Sequence, residues 1–241
     1  TNIFEQGEVA NFIIELSNSK MVLTSEITIP VLLFLLILLV LLCILYLMNR
    51  LALWRAHQQE VIVEADLHQV LEYFCMEEGV HAPRIVPSNA FWYRPISNTI
   101  GVKNLDSRNV ADSLAFAHEL FHFQDRRRVL NIQVAVSLYT YLVSTGLKLF
   151  ALVGIWLGTP YSGFRLLLLV DVFMLILYMI LTFIIERHAS KKAVSFLDRH
   201  QLLPNKNIAI HLSNRALFSY LLQFLIYAII SFMLFMMLRS F

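Results

Sequence analysis

Cysteine is scarce: Cys43 inside an apolar run and Cys75 in a polar stretch are the only two in 241 residues, so neither a disulfide framework nor a cysteine-ligated zinc site can be built. Charge is scarce too. Charged residues make up 15% of the chain and apolar residues 58%, where soluble domains have about 25% and about 45 to 50%. That balance excludes an ordinary soluble globule and points to a membrane protein. A formal charge of +2 and the lack of any long basic stretch set nucleic acid aside as a partner. Any metal must rest on His, Asp or Glu.

What the chain has instead is long apolar runs, and about 20 such residues in a helix cross a hydrocarbon core. Four segments qualify as transmembrane helices. The first, Ile27 to Met48, carries no charge and has Pro30 near its start; it is too long and too Leu-rich for a signal-peptide core. The second runs from Asn131 to Leu157 and contains Lys148. The third runs from Leu166 to Ile185 and contains Asp171, and Gly158, Pro160 and Gly163 mark the turn between these two. The fourth is Ala216 to Leu238, between Arg215 and Arg239.

Arg50, Arg55, Arg126, Arg127, Arg128, Arg187, Lys191 and Lys192 all fall on one side of these spans, which marks that side as cytoplasmic. The opposite side shows mainly Lys20, Arg165 and Arg239, and the amino-terminal segment is acidic through Glu5, Glu8, Glu15 and Glu26. Both termini are then expected outside. The chain opens on Thr1 rather than Met, so an upstream or processed piece is expected, with Met21 an equal candidate start.

The expected organisation is an extracytoplasmic segment 1–26, a span 27–48, a cytoplasmic region 49–130, a two-span hairpin 131–185, a cytoplasmic helix 186–215 and a last span 216–238. Within 49–130, Leu67, Val70, Leu71 and Phe74 repeat at helical spacing and Gly79 ends the pattern. Arg84 to Val86 and Thr99 to Lys103 read as short strands, separated by residues rich in Pro, Ser and Asn. From Asn109 to Arg127 the pattern is helical again, with Asp112 or Ser113 as the expected cap.

That last helix contains His118-Glu119-Leu120-Phe121-His122. Residues four apart share a helix face, so two imidazoles there can converge on one zinc ion, and Glu119, a step of ~100° round the helix, can reach a water held by the ion. Metal-assisted hydrolysis needs these residue types at this spacing. From the frequencies of 8 His and 11 Glu in the chain, about 0.012 chance matches are expected. The bland alternative is a pair of helix histidines bonded to backbone or to Glu119.

Two histidines and a water leave a tetrahedral site one protein ligand short. The hairpin of spans two and three leaves and re-enters the same face, which brings Glu186 near the region after His122. Its competing reading is a boundary carboxylate paired with Arg187 or Lys191. His188 is the rival ligand but lies on another face of the helix. Ser190, four residues after Glu186, is placed to bond the second nitrogen of a ligating imidazole.

The motif at 118 to 122, the two-span hairpin and the Glu-x-x-Ala-Ser-Lys-Lys-Ala run at 186 to 193 resemble the YugP-type neutral zinc metallopeptidases of bacterial membranes. The resemblance extends over nearly the whole chain, through the single spans at either end, the helix before Gly79 and the Tyr-x-Pro turn at Tyr93 to Pro95. More distantly the chain is similar to the HtpX and CAAX-protease group. The resemblance implies a mainly α polytopic protein with a small zincin-like α+β catalytic region in the cytoplasm of a bacterial cell. It also implies zinc on His118, His122 and Glu186, Glu119 as the catalytic base, and a protein or peptide substrate associated with the bilayer. Phe121 stands where the family commonly has Gly, and His188 where it has Asp.

The strand residues Thr99, Ile100, Gly101, Val102 and Lys103 are expected to form an edge that pairs with an extended substrate, with an ordinary hairpin strand as the alternative. Tyr93, His188 and His200 are the candidates for stabilising an oxyanion. The run Leu114 to Phe123 is too short to span, which places the metal near the inner membrane surface. Lys148 and Asp171 lie about 25 and 21 Å into their spans and read as a clasp of the hairpin rather than a transport pair. His57, His68, His81, His200 and His211 read as surface or packing residues. A non-catalytic membrane protein that holds a partner, with a structural HExxH site, is the second reading. Nothing in the sequence sets an oligomeric state.

Overall fold

The computed structural model describes residues 3–58, 61–158 and 163–239. Pro160 lies outside them, as do the side chains of the amino-terminal charges, of Arg126 to Arg128 and of Arg239. The fold is mainly helical: α1 (Ile3–Gln58), α2 (Leu67–Glu78), β1 (Arg84–Pro87), β2 (Trp92–Arg94), β3 (Thr99–Val102), α3 (Val110–Gln124), α4 (Arg126–Leu138), a π-helical turn (Tyr139–Ser144), α5 (Thr145–Trp156), α6 (Gly163–Arg199) and α7 (Lys206–Arg239).

Among the described residues, four stretches are long and apolar enough to cross a membrane: Ile29–Gln58, Val134–Trp156, Gly163–Arg199 and Lys206–Leu238. This is the architecture of a multi-pass membrane protein. The helices overrun the expected ends. Helix α1 passes through Pro30 without a break and continues beyond Met48 to Gln58, so Pro30 is interior to the helix, a position that membrane helices tolerate. Helix α6 continues past Ile185 because Ala189, Ala193, Phe196 and Leu197 repeat at helical spacing and bury against the extramembrane core. One rod thus carries an apolar half and a polar half.

The extramembrane core is built by α2, the sheet, α3, the end of α6 and the start of α7. Phe74, Phe121 and Phe196 meet edge to face, at centroid separations of 5.3 and 6.0 Å from Phe74. Phe121 is therefore a core ring. A capping box of Asp66 and Gln69 starts α2, and Gly79 ends it at φ 62°, a left-handed conformation that glycine adopts without strain. Helix α3 is capped by Asn109, which accepts from the Ala111 N–H at 2.7 Å; Asp112 and Ser113, the expected caps, sit in its first turn.

The sheet order is β1-β3-β2, with β1 parallel and β2 antiparallel to β3. The expectation that Thr99 to Lys103 offers a free edge to substrate is thereby overturned. Residues 99–102 form the central strand, hydrogen-bonded on both sides and buried throughout. Gly101 has no side chain because Trp92 crosses it, and a Cβ would stand 2.3 Å from the indole. Strand β2, not expected from the sequence, is three residues long, too short for an alternating pattern to register.

Inside the apolar layer, Asp171 is fully buried. It accepts hydrogen bonds from Tyr139 (2.9 Å) and Ser144 (3.0 Å) of the π-turn, Lys148 of α5 (3.0 Å) and Ser231 of α7 (2.6 Å). Four donors from three neighbouring segments converge on one carboxylate. Removing one partner of a buried ion pair leaves the other uncompensated, at a cost of about 3 to 5 kcal/mol. Asp171→Leu is therefore expected to lower stability in detergent by about 3 kcal/mol, and Lys148→Met added to it should recover most of the loss. A double variant as unstable as the sum of the singles would show that the two charges do not act as a pair.

Candidate metal centre

Helix α3 buries Phe116, Ala117, Leu120 and Phe121 against the core, which turns the His118–His122 ridge toward α6. There Glu186, 5% exposed, meets both rings. The His118 Nε2 is 2.9 Å from Glu186 Oε2, and the His122 Nε2 is 3.4 Å from Oε1. The two rings stand perpendicular with centroids 4.5 Å apart. Sequence separations of 68 and 64 residues are closed by the membrane hairpin.

The three donor atoms lie within 4.8 Å of one another, a group that could hold a metal ion. The donor chemistry fits: two neutral imidazoles and a carboxylate suit a tetrahedral ion, in which bonds of about 2.0 to 2.1 Å set ligand atoms about 3.4 Å apart. Both imidazoles turn Nε2 to the centre. The opposite nitrogen of His118, Nδ1, lies 3.1 Å from Ser190 Oγ, an outer partner of the kind that fixes a ligating imidazole. Tyr220 of α7 donates its hydroxyl to Glu186.

Glu119 is half-buried, beside this group and facing the same cleft as His118. Burial pushes its carboxyl above the ordinary range and Glu186 adds to the push, against the pull of His118, His122 and the backbone N–H of Tyr93. Burial by itself would lower the His122 pKa, but the Glu186 hydrogen bond and charge outweigh it and the net shift is upward.

The remaining sequence candidates fall elsewhere. His188 points to Asp125 at 3.6 Å, where Lys192 also binds at 3.2 Å, and takes no part in the group. His200 pairs with Glu77 at 2.6 Å and stacks on Tyr73. The Tyr93 hydroxyl binds Asn98, and it is the Tyr93 backbone, on the edge strand β2, that reaches Glu119.

A cleft of about 430 Å³ opens over His118 and Glu119, walled by the end of α1, the segment before β2, α3, α6 and α7. A second cavity of about 210 Å³ lies between the π-turn, α6 and α7, and Glu186 and Tyr220 line both. One residue of the site has no counterpart among the expected ones, Tyr220. Tyr220 carries no sequence signal, being one aromatic in an aromatic-rich span. His57 is a packing residue, as expected, stacked on Phe91 with Nδ1 bonded to Asp112 at 2.7 Å, and it also lines the cleft.

No family model, curated protein or solved structure matches the chain.

Because His122 must lose its proton to bind a metal, uptake should release protons. Affinity should be full above the raised pKa and fall as the pH drops through it, by about tenfold per pH unit for each proton displaced. Titration calorimetry with zinc in buffers of different ionisation enthalpy reads this directly. Ser190→Ala should weaken binding by about tenfold or more; pH-independent binding, or binding unchanged by Glu186→Gln, would place the ion elsewhere.

Proposed function

We propose that the protein is a membrane-embedded zinc metalloendopeptidase that hydrolyses peptide bonds of membrane or membrane-proximal proteins. The observation that carries this reading is the cleft in which Glu119 stands beside a two-imidazole, one-carboxylate group. His118, His122 and Glu186 would hold a zinc ion, which would supply an activated water and polarise the substrate carbonyl.

The chain's own residues do the rest. Glu119 removes a proton from the attacking water and returns one to the leaving amine, a role open to a carboxylate beside the metal group at the cleft. The Tyr93 N–H holds the Glu119 carboxylate in place, and Ser190 and Tyr220 orient His118 and Glu186. The resemblance to YugP-type peptidases supports the same assignment and a zincin-like description of the extramembrane region. The Arg and Lys residues flanking the spans support a cytoplasmic cleft with both termini outside.

The direct bonds from Glu186 to both histidines favour a second reading, in which the three side chains form an ion-paired lock between α3 and α6 in a protein that binds a partner without chemistry.

Cleavage of a membrane-tethered reporter in proteoliposomes separates the two. Zinc-dependent cleavage that a chelator stops is expected, and Glu119→Gln should reduce kcat by about 10²-fold or more while metal uptake persists. Wild-type turnover by Glu119→Gln would remove Glu119 from the role of base, and no zinc-dependent cleavage of any reporter would favour the lock.

A further inference from the structure

The bilayer side of the metal group is polar. The cavity of about 210 Å³ between the π-turn, α6 and α7 reaches Glu186 and Tyr220 from within the spans. Thr182 stands one helical turn before Glu186 on α6, about 6 Å deeper in the apolar layer. Tyr220, Gln223 and Tyr227 follow one another along one face of α7, and Ser137, Thr140 and Tyr141 supply the third wall. Most of the lining residues thus carry a hydroxyl, an amide or a carboxylate.

In an apolar layer such a lining is costly unless something hydrogen-bonds to it. Thr140 makes the point most sharply. It is 4% exposed, and its hydroxyl has no hydrogen-bond partner among the described residues. A lipid chain offers neither donor nor acceptor. Water offers both, a cavity stays dry only when its walls are apolar, and this volume has room for several molecules at about 30 Å³ each.

A source of water adjoins the cavity. A third cavity, of about 830 Å³, lies against the extramembrane part of α6, where Arg187, His188 and Lys191 are exposed. It shares Ile132 and Ile185 with the polar cavity, so these two side chains form the neck between them. None of its lining residues lines the cleft over His118 and Glu119. A path from solvent therefore runs past Asp125 and Arg187, through the neck and along Thr182 to Glu186, without entering the cleft.

We propose that the polar cavity is a water chamber that reaches the metal group from behind, filled through the neck at Ile132 and Ile185. A peptide seated in the cleft stands between Glu119 and solvent, and each peptide bond hydrolysed consumes one water molecule. The chamber replaces that water with the substrate still in place. This use of the water rests on the peptidase reading; the hydration of the chamber does not.

The test reads thiol accessibility in the full chain reconstituted in lipid vesicles, with Cys43→Ala and Cys75→Ala removing the native thiols. Thr182→Cys and Gln223→Cys each place a thiol on a wall of the chamber. Ile180→Cys, at a position 48% exposed and two residues from Thr182, is the lipid-facing control. A charged methanethiosulfonate is supplied on both faces of the vesicles, and it attacks the thiolate, which forms where water reaches the sulfur. Both chamber thiols should react about tenfold or more faster than the control, and Ile132→Trp, which fills the neck, should slow them by about tenfold. Ile185→Phe narrows the same neck from the other wall, and serves if Ile132→Trp does not fold.

Chamber thiols that react no faster than Ile180→Cys overturn the proposal and leave lipid as the occupant. Fast reaction that neither neck variant slows overturns the rear route. Saturating the Glu119→Gln protein with the membrane-tethered reporter should leave both rates unchanged; protection of the thiols would mean that substrate, not water, fills the cavity. Reporter cleavage by the wild-type protein is scored separately. A wet chamber in a protein that cleaves no reporter would count against the peptidase reading and leave the chamber standing.

Discussion

The structure depends on the burial of one carboxylate. Glu186 sits on a helix that is apolar for its first half, almost out of solvent, and an unpaired ionised carboxylate there would cost several kcal/mol. It is compensated by the imidazoles of His118 and His122 on α3 and by the Tyr220 hydroxyl on α7. That requirement fixes three helices against one another. Sliding α6 by a single residue would rotate Glu186 by ~100° away from both rings.

The same helix is pinned a second time. Asp171, fifteen residues earlier and about 22 Å along the axis, is held by donors from the π-turn, α5 and α7. Two buried carboxylates with independent partners set both the depth and the rotation of α6. The apolar contacts around them, such as Leu175 with Phe224 and Ala228, fill space without fixing register. The π-turn has a local cause in this arrangement, since it directs Tyr139 and Ser144 to the same acceptor. Helix α3 is organised in the same economical way: one face packs into the phenylalanine core, and the other carries His118 and Glu119 to the cleft and His122 to Glu186.

Much of this was legible in the sequence because its signals are local or topological. Four apolar runs gave the spans, and the i, i+4 histidines gave a shared helix face. The two-span hairpin returns the chain to the face it left, which brings Glu186 to the two histidines. Ser190 followed from one further helical turn. Helix ends were less legible, since Pro30 and the polar residues after Met48 and Ile185 look like boundaries until packing against the core is considered. The sheet order was not legible either: β2 is too short to show alternation, and without it β3 looks like an edge. Tyr220 and the bond between His57 and Asp112 depend on tertiary proximity across 34 and 55 residues, for which one sequence holds no direct record.

X-ray absorption at the zinc edge of the purified, zinc-loaded protein tests the central claim most directly. Two imidazole nitrogens, one carboxylate oxygen and one exchangeable oxygen donor at about 2.0 to 2.2 Å are expected, and Glu186→Gln should alter that shell. A shell with other than two imidazoles, or one that Glu186→Gln leaves unchanged, would contradict the meeting of α3 and α6 at a single ion.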